Sequence, residues 1–352
     1  MINTTCTLST ACFRSNNSTH ITKTLESTIE NANALMQNAV YLVIYGDNET
    51  IPLLKEKREK YGHMDKTVFV ELDKNDMWAF QWVDKVNKNR QTYHPTANPR
   101  HNTEIHLIQC NKFDFVLQTI KSNPFNTTHF GWTDIFLGKD NVRFCEDYNI
   151  DVLPTLLNNV CAMDTKFHLQ VQCITDVNYI QPKNKREYYS QYQWVVCGNF
   201  FISGADACWR IMTRLKEIFV ETTELGYGHG DEMLYLEILD EFDQDIVRSY
   251  GDYGQTWNNM VLPVKNLHYI YHLILKRSMD MCYYKEAFHC GKAILKSFLT
   301  YADSDIITEE MSNKICNAFV IPKDIFICIL NDLYQAALNY RPEEAQQIKG
   351  TY

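Results

Sequence analysis

The sequence HFGWTDIF, residues 129–136, is an apolar, aromatic-rich run with a single carboxylate, Asp134, near its end. A continuous apolar run of this kind predicts a strand that is buried on both faces of a parallel sheet. Ligands of open α/β sheets bind outside the carboxyl ends of the strands. We therefore hypothesise that Asp134 holds a divalent metal ion and, through it, a diphosphate. A strand-end acid is also a common turn former, and this second interpretation stays open.

The first 75 residues alternate between strand and helix patterns. Apolar runs at residues 5–13, 39–45 and 67–72 predict strands, and residues 21–36 and 50–61 predict the helices between them. This βαβ alternation is typical of a nucleotide-binding sheet. The chain contains neither G-x-G-x-x-G after the first strand nor G-x-x-x-x-G-K-[ST]. Dinucleotide enzymes and P-loop NTPases are therefore poor candidates.

The rest of the chain continues this pattern and then becomes helical. We predict helices at residues 103–122, 205–222 and 233–239, a strand at 168–175, and a strand or bent pair at 192–204. From about residue 266 onward the pattern is helical throughout. The predicted fold is an α/β class with a mixed, mostly parallel sheet flanked by helices, plus a C-terminal all-helical segment. We place the sheet domain at 1–262 and the helical region at 263–352, since 352 residues exceed the usual size of one domain.

Composition excludes several classes of protein. The net charge is -9 and no Lys/Arg block stands out, which argues against a nucleic-acid groove. The twelve cysteines form no C-x-x-C pair, which argues against a disulfide framework or a structural zinc site. The start of the chain lacks the basic and apolar regions of a signal peptide, and no apolar run approaches the ~18 residues of a membrane span. We therefore expect a cytoplasmic protein with reduced thiols.

Four patches occur in an order that resembles the HtrL/YibB-like family. They are TCTLSTACFR at 5–14, NPFNTTHFGWTDIF at 123–136, VVCGNFFISG at 195–204 and GHGDEMLYLEIL at 228–239. The resemblance covers roughly residues 5–260. It implies a GT-A-like, Rossmann-type domain and a glycosyltransferase that moves a sugar from a nucleotide-sugar donor, a UDP-sugar being favoured, to the hydroxyl of a glycan or similar acceptor.

The resemblance also assigns a role to Asp134. This residue matches the acid of the D-x-D motif that GT-A enzymes use for metal binding, whereas Trp132 fills the place of the other acid. Mn²⁺ or Mg²⁺ that bridges two phosphates needs only one or two protein oxygens, because phosphate and water supply the rest. Such a metal ion would neutralise the departing nucleoside diphosphate.

Further residues of the donor site follow from the same resemblance. It implies base and ribose contacts from the ends of the first two strands, a phosphate contact from a helix lysine, and a sugar pocket lined by a later strand: Thr10, Ala11, Phe13, Arg14, Tyr45, Asp47, Lys112, Asn199 and Gly204. Each has a plainer alternative. Arg14 and Lys112 fit solvated side chains, Asp47 fits a turn residue, and Asn199 and Gly204 fit backbone roles.

Two acids after a Gly-rich loop are the catalytic candidates. Asp231 and Glu232 follow three glycines and begin a predicted helix, and the resemblance places them beside the donor sugar or the acceptor hydroxyl. One could be the general base of an inverting reaction or could stabilise the anomeric carbon of a retaining one. Asp231 could also be a plain N-cap. His268 is a candidate extra metal ligand, although two histidines at i, i+4, with His272, lack the Glu of H-E-x-x-H.

Two other classes of function remain as alternatives. A non-catalytic protein with a degenerate nucleotide fold could use the C-terminal helices for protein contacts, and the loss of one D-x-D acid favours this class. A nucleotidyltransferase would need a Gly/Arg/Lys-rich triphosphate loop near the N-terminus, which Arg14-Ser15-Asn16-Asn17 does not resemble.

Overall fold

The computed structural model describes residues 5–14, 25–92, 102–137, 151–173, 185–190, 194–228, 230–251, 256–261 and 267–352. The chain divides into two compact units. The first comprises Met1–Leu169 and Val177–Val247, and the second comprises Gln170–Asp176 and Arg248–Tyr352.

Seven strands of the described chain form one sheet. They are β1 (Cys6–Cys12), β2 (Tyr41–Gly46), β3 (Thr67–Glu71), β4 (His129–Thr133), β5 (Phe167–Val171), β6 (Val196–Gly204) and β7 (Ile246–Tyr250). Their order across the sheet is β3-β2-β1-β4-β6-β5-β7. The neighbours from β3 to β4 pair in parallel, whereas β4 and β6 pair antiparallel. The predicted fold class, a mixed and mostly parallel sheet with flanking helices, is confirmed.

The helices of the first unit are α1 (Leu25–Glu30), α2 (Asn33–Met36), α3 (Thr50–Lys60), α4 (Val83–Thr92), α5 (Thr103–Cys110), α6 (Lys112–Ser122), α7 (Val152–Met163), α8 (Lys185–Tyr189), α9 (Ala205–Leu225) and α10 (Tyr235–Glu241). Short 3₁₀ segments occupy Met64–Lys66, Lys74–Asp76 and Trp78–Trp82.

The described elements of the second unit are helical apart from the strand residues at its boundary. They are α11 (Thr256–Val261), α12 (Leu267–Ile270), a π-helical segment (Tyr271–Lys276), α13 (Arg277–Asp280), α14 (Tyr284–Ala302), α15 (Glu309–Ala318), α16 (Lys323–Tyr340) and α17 (Pro342–Lys349). A Cβ at Gly291 of α14 would lie 2.9 Å from the Leu333 side chain of α16, so glycine lets these two helices approach closely. No described helix combines the length and the apolar character that a membrane span requires.

The positions of several elements differ from the sequence predictions. Residues 103–122 form two helices that meet at Asn111, whose buried side chain accepts a hydrogen bond from Ala79 N at 2.9 Å. β4 ends at Thr133, where a turn closed by Leu137 N donating to Asp134 O at 3.1 Å replaces the last part of the predicted strand. Strand β7 was not predicted at all.

The strand order has a reversal point between β1 and β4. From β1 the chain proceeds outward through β2 to β3, and it then returns to the other side of β1 as β4. This reversal is the topological switch point at which open α/β sheets bind ligands. Residues at the carboxyl ends of β1 and β4, Phe13 and Asp134 among them, flank that point.

Candidate functional site

Asp134 lies immediately after β4 and presents its carboxylate to solvent. Its side chain is 44% exposed. The backbone N–H of Asp134 donates to Asn199 O on β6 at 2.7 Å, and the indole Nε1 of Trp132 donates to Asp134 Oδ1 at 2.7 Å. The first bond holds the backbone at the end of β4, and the second orients the carboxylate and leaves Oδ2 for other partners. The turn-forming and ligand-binding interpretations of Asp134 are therefore compatible.

Lys112, the first residue of α6, reaches the same place from inside the protein. Its side chain is only 3% exposed, so the alternative of a solvated helix lysine is wrong. The ammonium donates to Gly198 O at 2.7 Å, forms an ion pair with Asp231 Oδ2 at 2.8 Å, and lies 4.0 Å from Asp134 Oδ1. A buried ammonium is costly without such partners, and these contacts supply them.

Gly198 is a site residue that was not among the predicted site residues, and its signal in the sequence is weak: a glycine within an apolar strand. A Cβ at this position would lie 2.2 Å from Asp231 Oδ2 and 3.4 Å from Lys112 Nζ. No real side chain tolerates a carboxylate oxygen at 2.2 Å. Gly198 therefore allows the Lys112–Asp231 pair to pack against the backbone of β6.

The two predicted catalytic acids differ in exposure. Asp231 is 1% exposed, whereas Glu232 is half-buried. Burial, together with the charge of Asp134, raises the pKa of Asp231 although Lys112 opposes the shift. Burial lowers the pKa of Lys112, but the charges of Asp231 and Asp134 outweigh it and the pKa is raised overall. The catalytic role of Asp231 and Glu232 stays a prediction, and burial places Asp231 behind Lys112 rather than at the surface.

The charges of the central cluster do not balance. One ammonium, Lys112, lies between two carboxylates, Asp231 at 2.8 Å and Asp134 at 4.0 Å, so these three side chains carry one excess negative charge when both acids are ionised. The excess is located at Asp134, which is the member in contact with solvent. Such a cluster attracts a cation to the outer oxygen of Asp134.

The donor set limits how a metal ion could be held. Across the described residues, no group of three or more His, Cys, Asp or Glu side chains could hold a metal ion. Asp134 Oδ2 and the excess negative charge fit a divalent ion that takes most of its ligands from phosphate and water. They do not fit an ion caged by protein side chains alone. The side chain of His268, the other predicted ligand, lies outside the described residues.

The predicted base and ribose contacts at the end of β1 lie near the switch point. Thr10 is buried, Ala11 is half-buried, and the half-buried ring of Phe13 stacks on Phe115 at 6.0 Å. Phe115 also stacks on Tyr45 at 4.2 Å. The three rings form one stack at the ends of β1, β2 and α6.

Tyr45, a predicted contact at the end of β2, is also buried. Its hydroxyl donates to Phe115 O at 3.0 Å and lies 2.9 Å from Thr119 Oγ1. Burial raises the pKa of Tyr45 to about 12. The side chain therefore joins β2 to α6, and its contact with a base stays a prediction.

Asp47 and Arg14 hold the ends of β1 and β2 together. Asp47 Oδ1 accepts hydrogen bonds from the backbone N–H groups of Glu49 at 3.1 Å and Thr50 at 2.8 Å, and Oδ2 accepts one from Arg14 N at 2.6 Å. The exposed Arg14 guanidinium forms an ion pair with Glu49. Asp47 is thus the turn residue of the plainer interpretation, and ribose binding by either residue stays a prediction.

The structure brings Asn199 to Asp134 but does not bring Gly204 there. Because β6 runs antiparallel to β4, Gly204 pairs with His129, five residues before Asp134 and about 17 Å away at the usual rise per strand residue. A Cβ at Gly204 would lie 2.6 Å from Thr165 Cβ, which gives this glycine a packing role at the opposite edge of the sheet.

Comparisons with known proteins give no family for this chain. No family model and no curated protein matches the chain, so membership of the HtrL/YibB-like family stays a prediction. Among solved structures, the apo form of mouse xyloside xylosyltransferase 1 aligns over 68% of this chain and 83% of its own, with 10% identity and a TM-score of 0.36. An alignment at this level does not bear on activity.

Proposed function

We propose that this protein is a glycosyltransferase that moves a sugar from a nucleotide-sugar donor, a UDP-sugar by preference, to an acceptor hydroxyl. The observation that carries the proposal is the position of Asp134. This half-exposed carboxylate lies at the switch point of an open α/β sheet, where nucleotide ligands bind. It belongs to a cluster with one excess negative charge, which suits a diphosphate that arrives with a divalent cation.

The proposed roles follow from exposure. Asp134 Oδ2 would hold Mn²⁺ or Mg²⁺, which when bound supplies charge neutralisation to the leaving diphosphate. Lys112 holds Asp231 and faces Asp134 Oδ1 at 4.0 Å, so we assign Lys112 and Asp231 as positioning residues. Glu232 is only half-buried and is the better placed of the two acids to meet a substrate directly.

A non-catalytic, nucleotide-binding protein is the second candidate. Its support is that Asp134 is tied to Trp132, where the resemblance would place a second acid, and that Asp231 is enclosed. Both candidates predict ligand binding, and sugar transfer to an acceptor or to water separates them.

The test of the proposed function is thermal unfolding of the full chain with UDP-, GDP- and dTDP-sugars, each with and without Mn²⁺. We expect at least one donor to raise the midpoint, and Mn²⁺ to increase that rise. If no donor changes the midpoint in either condition, the transferase proposal is wrong.

The matched variants are Asp134→Asn and Asp206→Asn. Asp206 is an exposed acid of α9 next to Gly204, at the other edge of the sheet. Asp134→Asn should abolish the Mn²⁺-dependent part of the rise, and Asp206→Asn should leave it unchanged. A Mn²⁺ response that survives Asp134→Asn would show that a different carboxylate holds the metal ion.

A further inference from the structure

The roles proposed above leave out one side chain that contacts the Asp134 carboxylate, Trp132 of β4. Its indole Nε1 donates to Asp134 Oδ1 at 2.7 Å, a length typical of a charge-assisted hydrogen bond. Trp132 is only 5% exposed, and its register partners are Ser9 of β1 and Phe201 of β6. Because strands pair with β4 on both sides at this residue, the backbone that carries the indole is fixed relative to Asp134.

Lys112 holds the same indole from its face. The ammonium lies over the Trp132 ring, 5.4 Å from its centroid, and 4.0 Å from Asp134 Oδ1. An ion pair with Asp231 at 2.8 Å keeps this ammonium in place. A cation over an aromatic face is attracted to it, so Lys112 orients the ring while the N–H at the ring edge points to Oδ1.

The two oxygens of the Asp134 carboxylate therefore differ. Oδ1 accepts the hydrogen bond from Trp132 and is the oxygen nearest to the Lys112 ammonium. Oδ2 accepts no hydrogen bond from any residue that the structure describes, and the side chain is 44% exposed. A metal ion that used both oxygens would displace the indole N–H and would approach the ammonium, which repels it. Asp134 thus offers a metal ion one oxygen.

This restriction does not affect all divalent ions equally. Mg²⁺ requires near-octahedral geometry and is usually held by one or two carboxylates together with phosphates and water. Ca²⁺ takes a larger and more flexible set of oxygens, and it binds carboxylates through one or both oxygens. A carboxylate limited to one oxygen meets the requirements of Mg²⁺ but removes a ligand that Ca²⁺ can use.

We propose that Trp132 is a positioning residue that makes this site select Mg²⁺ over Ca²⁺, by restricting Asp134 to a single metal-binding oxygen. The inference rests on the proposed function, since it takes Asp134 as the metal ligand and a nucleoside diphosphate as the source of phosphate oxygens. It adds a selectivity among metal ions and assigns that selectivity to an aromatic side chain that does not bind the ion itself.

The first experiment measures the selectivity of the wild-type full chain. Thermal unfolding is followed with UDP, GDP or dTDP present while Mg²⁺ or Ca²⁺ is added, and each titration gives the metal concentration for half of the rise in midpoint. The ratio of the Ca²⁺ to the Mg²⁺ concentration is the selectivity. The same ratio for the nucleotide alone, from calorimetry, is the reference. We expect the wild-type ratio to exceed the reference, and a ratio equal to it would overturn the proposal.

The second experiment repeats these titrations with Trp132→Phe, which keeps a ring beside Lys112 but removes the N–H donor. We expect Mg²⁺ to bind roughly tenfold more weakly, the lower end of the loss typical when a hydrogen-bond partner of a metal ligand is removed. Ca²⁺ should lose less, since Oδ1 becomes available to it, and the ratio should fall toward the reference. Trp209→Phe, at a 43% exposed tryptophan of α9, is the matched control and should leave the ratio unchanged.

Failure of this inference and failure of the proposed function give different results. If neither ion changes the midpoint with any nucleotide, Asp134 is not a metal ligand and both proposals are wrong. If the ions bind but the folded Trp132→Phe variant has the wild-type ratio, the metal site stands and the role of Trp132 is wrong. Should Trp132→Phe not fold, the comparison of the wild-type ratio with the nucleotide reference still decides whether the site selects Mg²⁺.

Discussion

Each compact unit contains a buried ion pair, and the two pairs differ in what surrounds them. In the second unit, Arg248 pairs with Glu286 at 2.6 Å, and Tyr250 donates its hydroxyl to the other carboxylate oxygen at 2.8 Å. In the first unit, Lys112 pairs with Asp231 at 2.8 Å. All four charged side chains are 3% exposed or less.

The difference lies in the charge next to each pair. Arg248 contacts the single carboxylate of Glu286, and the neutral hydroxyl of Tyr250 donates to the same carboxylate. Lys112 is shared between Asp231 and the half-exposed Asp134. Burial of an ion pair thus marks packing in one unit and a candidate ligand site in the other. The feature that distinguishes the candidate site from the packing pair is an additional carboxylate, that of Asp134, which is exposed to solvent.

The largest expected loss of unfolding free energy comes from a substitution in the Arg248–Glu286 pair, which we call the balanced pair. Arg248→Met leaves Glu286 buried without its cation and should cost about 3–5 kcal/mol of unfolding free energy. The double variant Arg248→Met/Glu286→Leu should recover most of that loss, since an apolar pair of similar volume replaces the ions. Urea unfolding of the wild type, the single and the double variant measures both. A single variant as stable as the wild type would contradict the structural role assigned to this pair.

The balanced pair also shows why the sequence reveals only part of the fold. Strand β7 was missed because its sequence, IVRSY, places an arginine where a buried strand usually has an apolar residue. The partner that neutralises Arg248 is Glu286, in a helix 38 residues further along. A local pattern carries no signal of a partner so distant. By contrast, β1, β2 and β4 were predicted because apolar runs that are buried on both faces need no distant partner to be recognised.

The candidate site was predicted in part for the same reason. Asp134 could be found because it ends an apolar run. The burial of Lys112 could not be predicted, because its partners Gly198 and Asp231 lie more than 80 residues further along the chain. The antiparallel direction of β6 was also invisible, because a continuous apolar run fits either direction. That direction is what brings Asn199 to Asp134 and takes Gly204 away.

The second expected loss of unfolding free energy, for a substitution in the unbalanced Lys112–Asp231 pair, should be smaller. Lys112→Met leaves Asp231 buried, but the pKa of Asp231 is already raised, so the carboxylate can take up a proton and become neutral. We expect a loss of about 1–3 kcal/mol, the cost of a buried polar group without its partner. Urea unfolding at pH 7 measures it, with Arg248→Met for comparison. A loss as large as that of Arg248→Met would show that the two pairs are energetically alike.

The smallest expected effect is a dependence of the unfolding free energy on pH, which tests whether the surroundings of Asp231 disfavour its ionised form. The folded-state pKa of Asp231 is raised above its value in the unfolded chain, near 3.9. Its contribution to stability is then fully present below about pH 4 and is lost as the pH rises through the folded-state pKa. The difference in unfolding free energy between the wild type and Asp231→Asn should therefore shift in favour of the wild type as the pH falls from 7 to 4.

Asp164→Asn provides a control of opposite sign. Although burial opposes the shift, the hydrogen bond from His168 lowers the pKa of Asp164. Its contribution is present above the unfolded-chain pKa and is lost as the pH falls below about 4. The difference between the wild type and Asp164→Asn should therefore shrink as the pH falls below about 4. If the Asp231 difference also shrinks on acidification, Lys112 fully compensates Asp231. The ionised form of Asp231 is then as well stabilised by its partner as a balanced pair would be, and the contrast with Arg248–Glu286 fails.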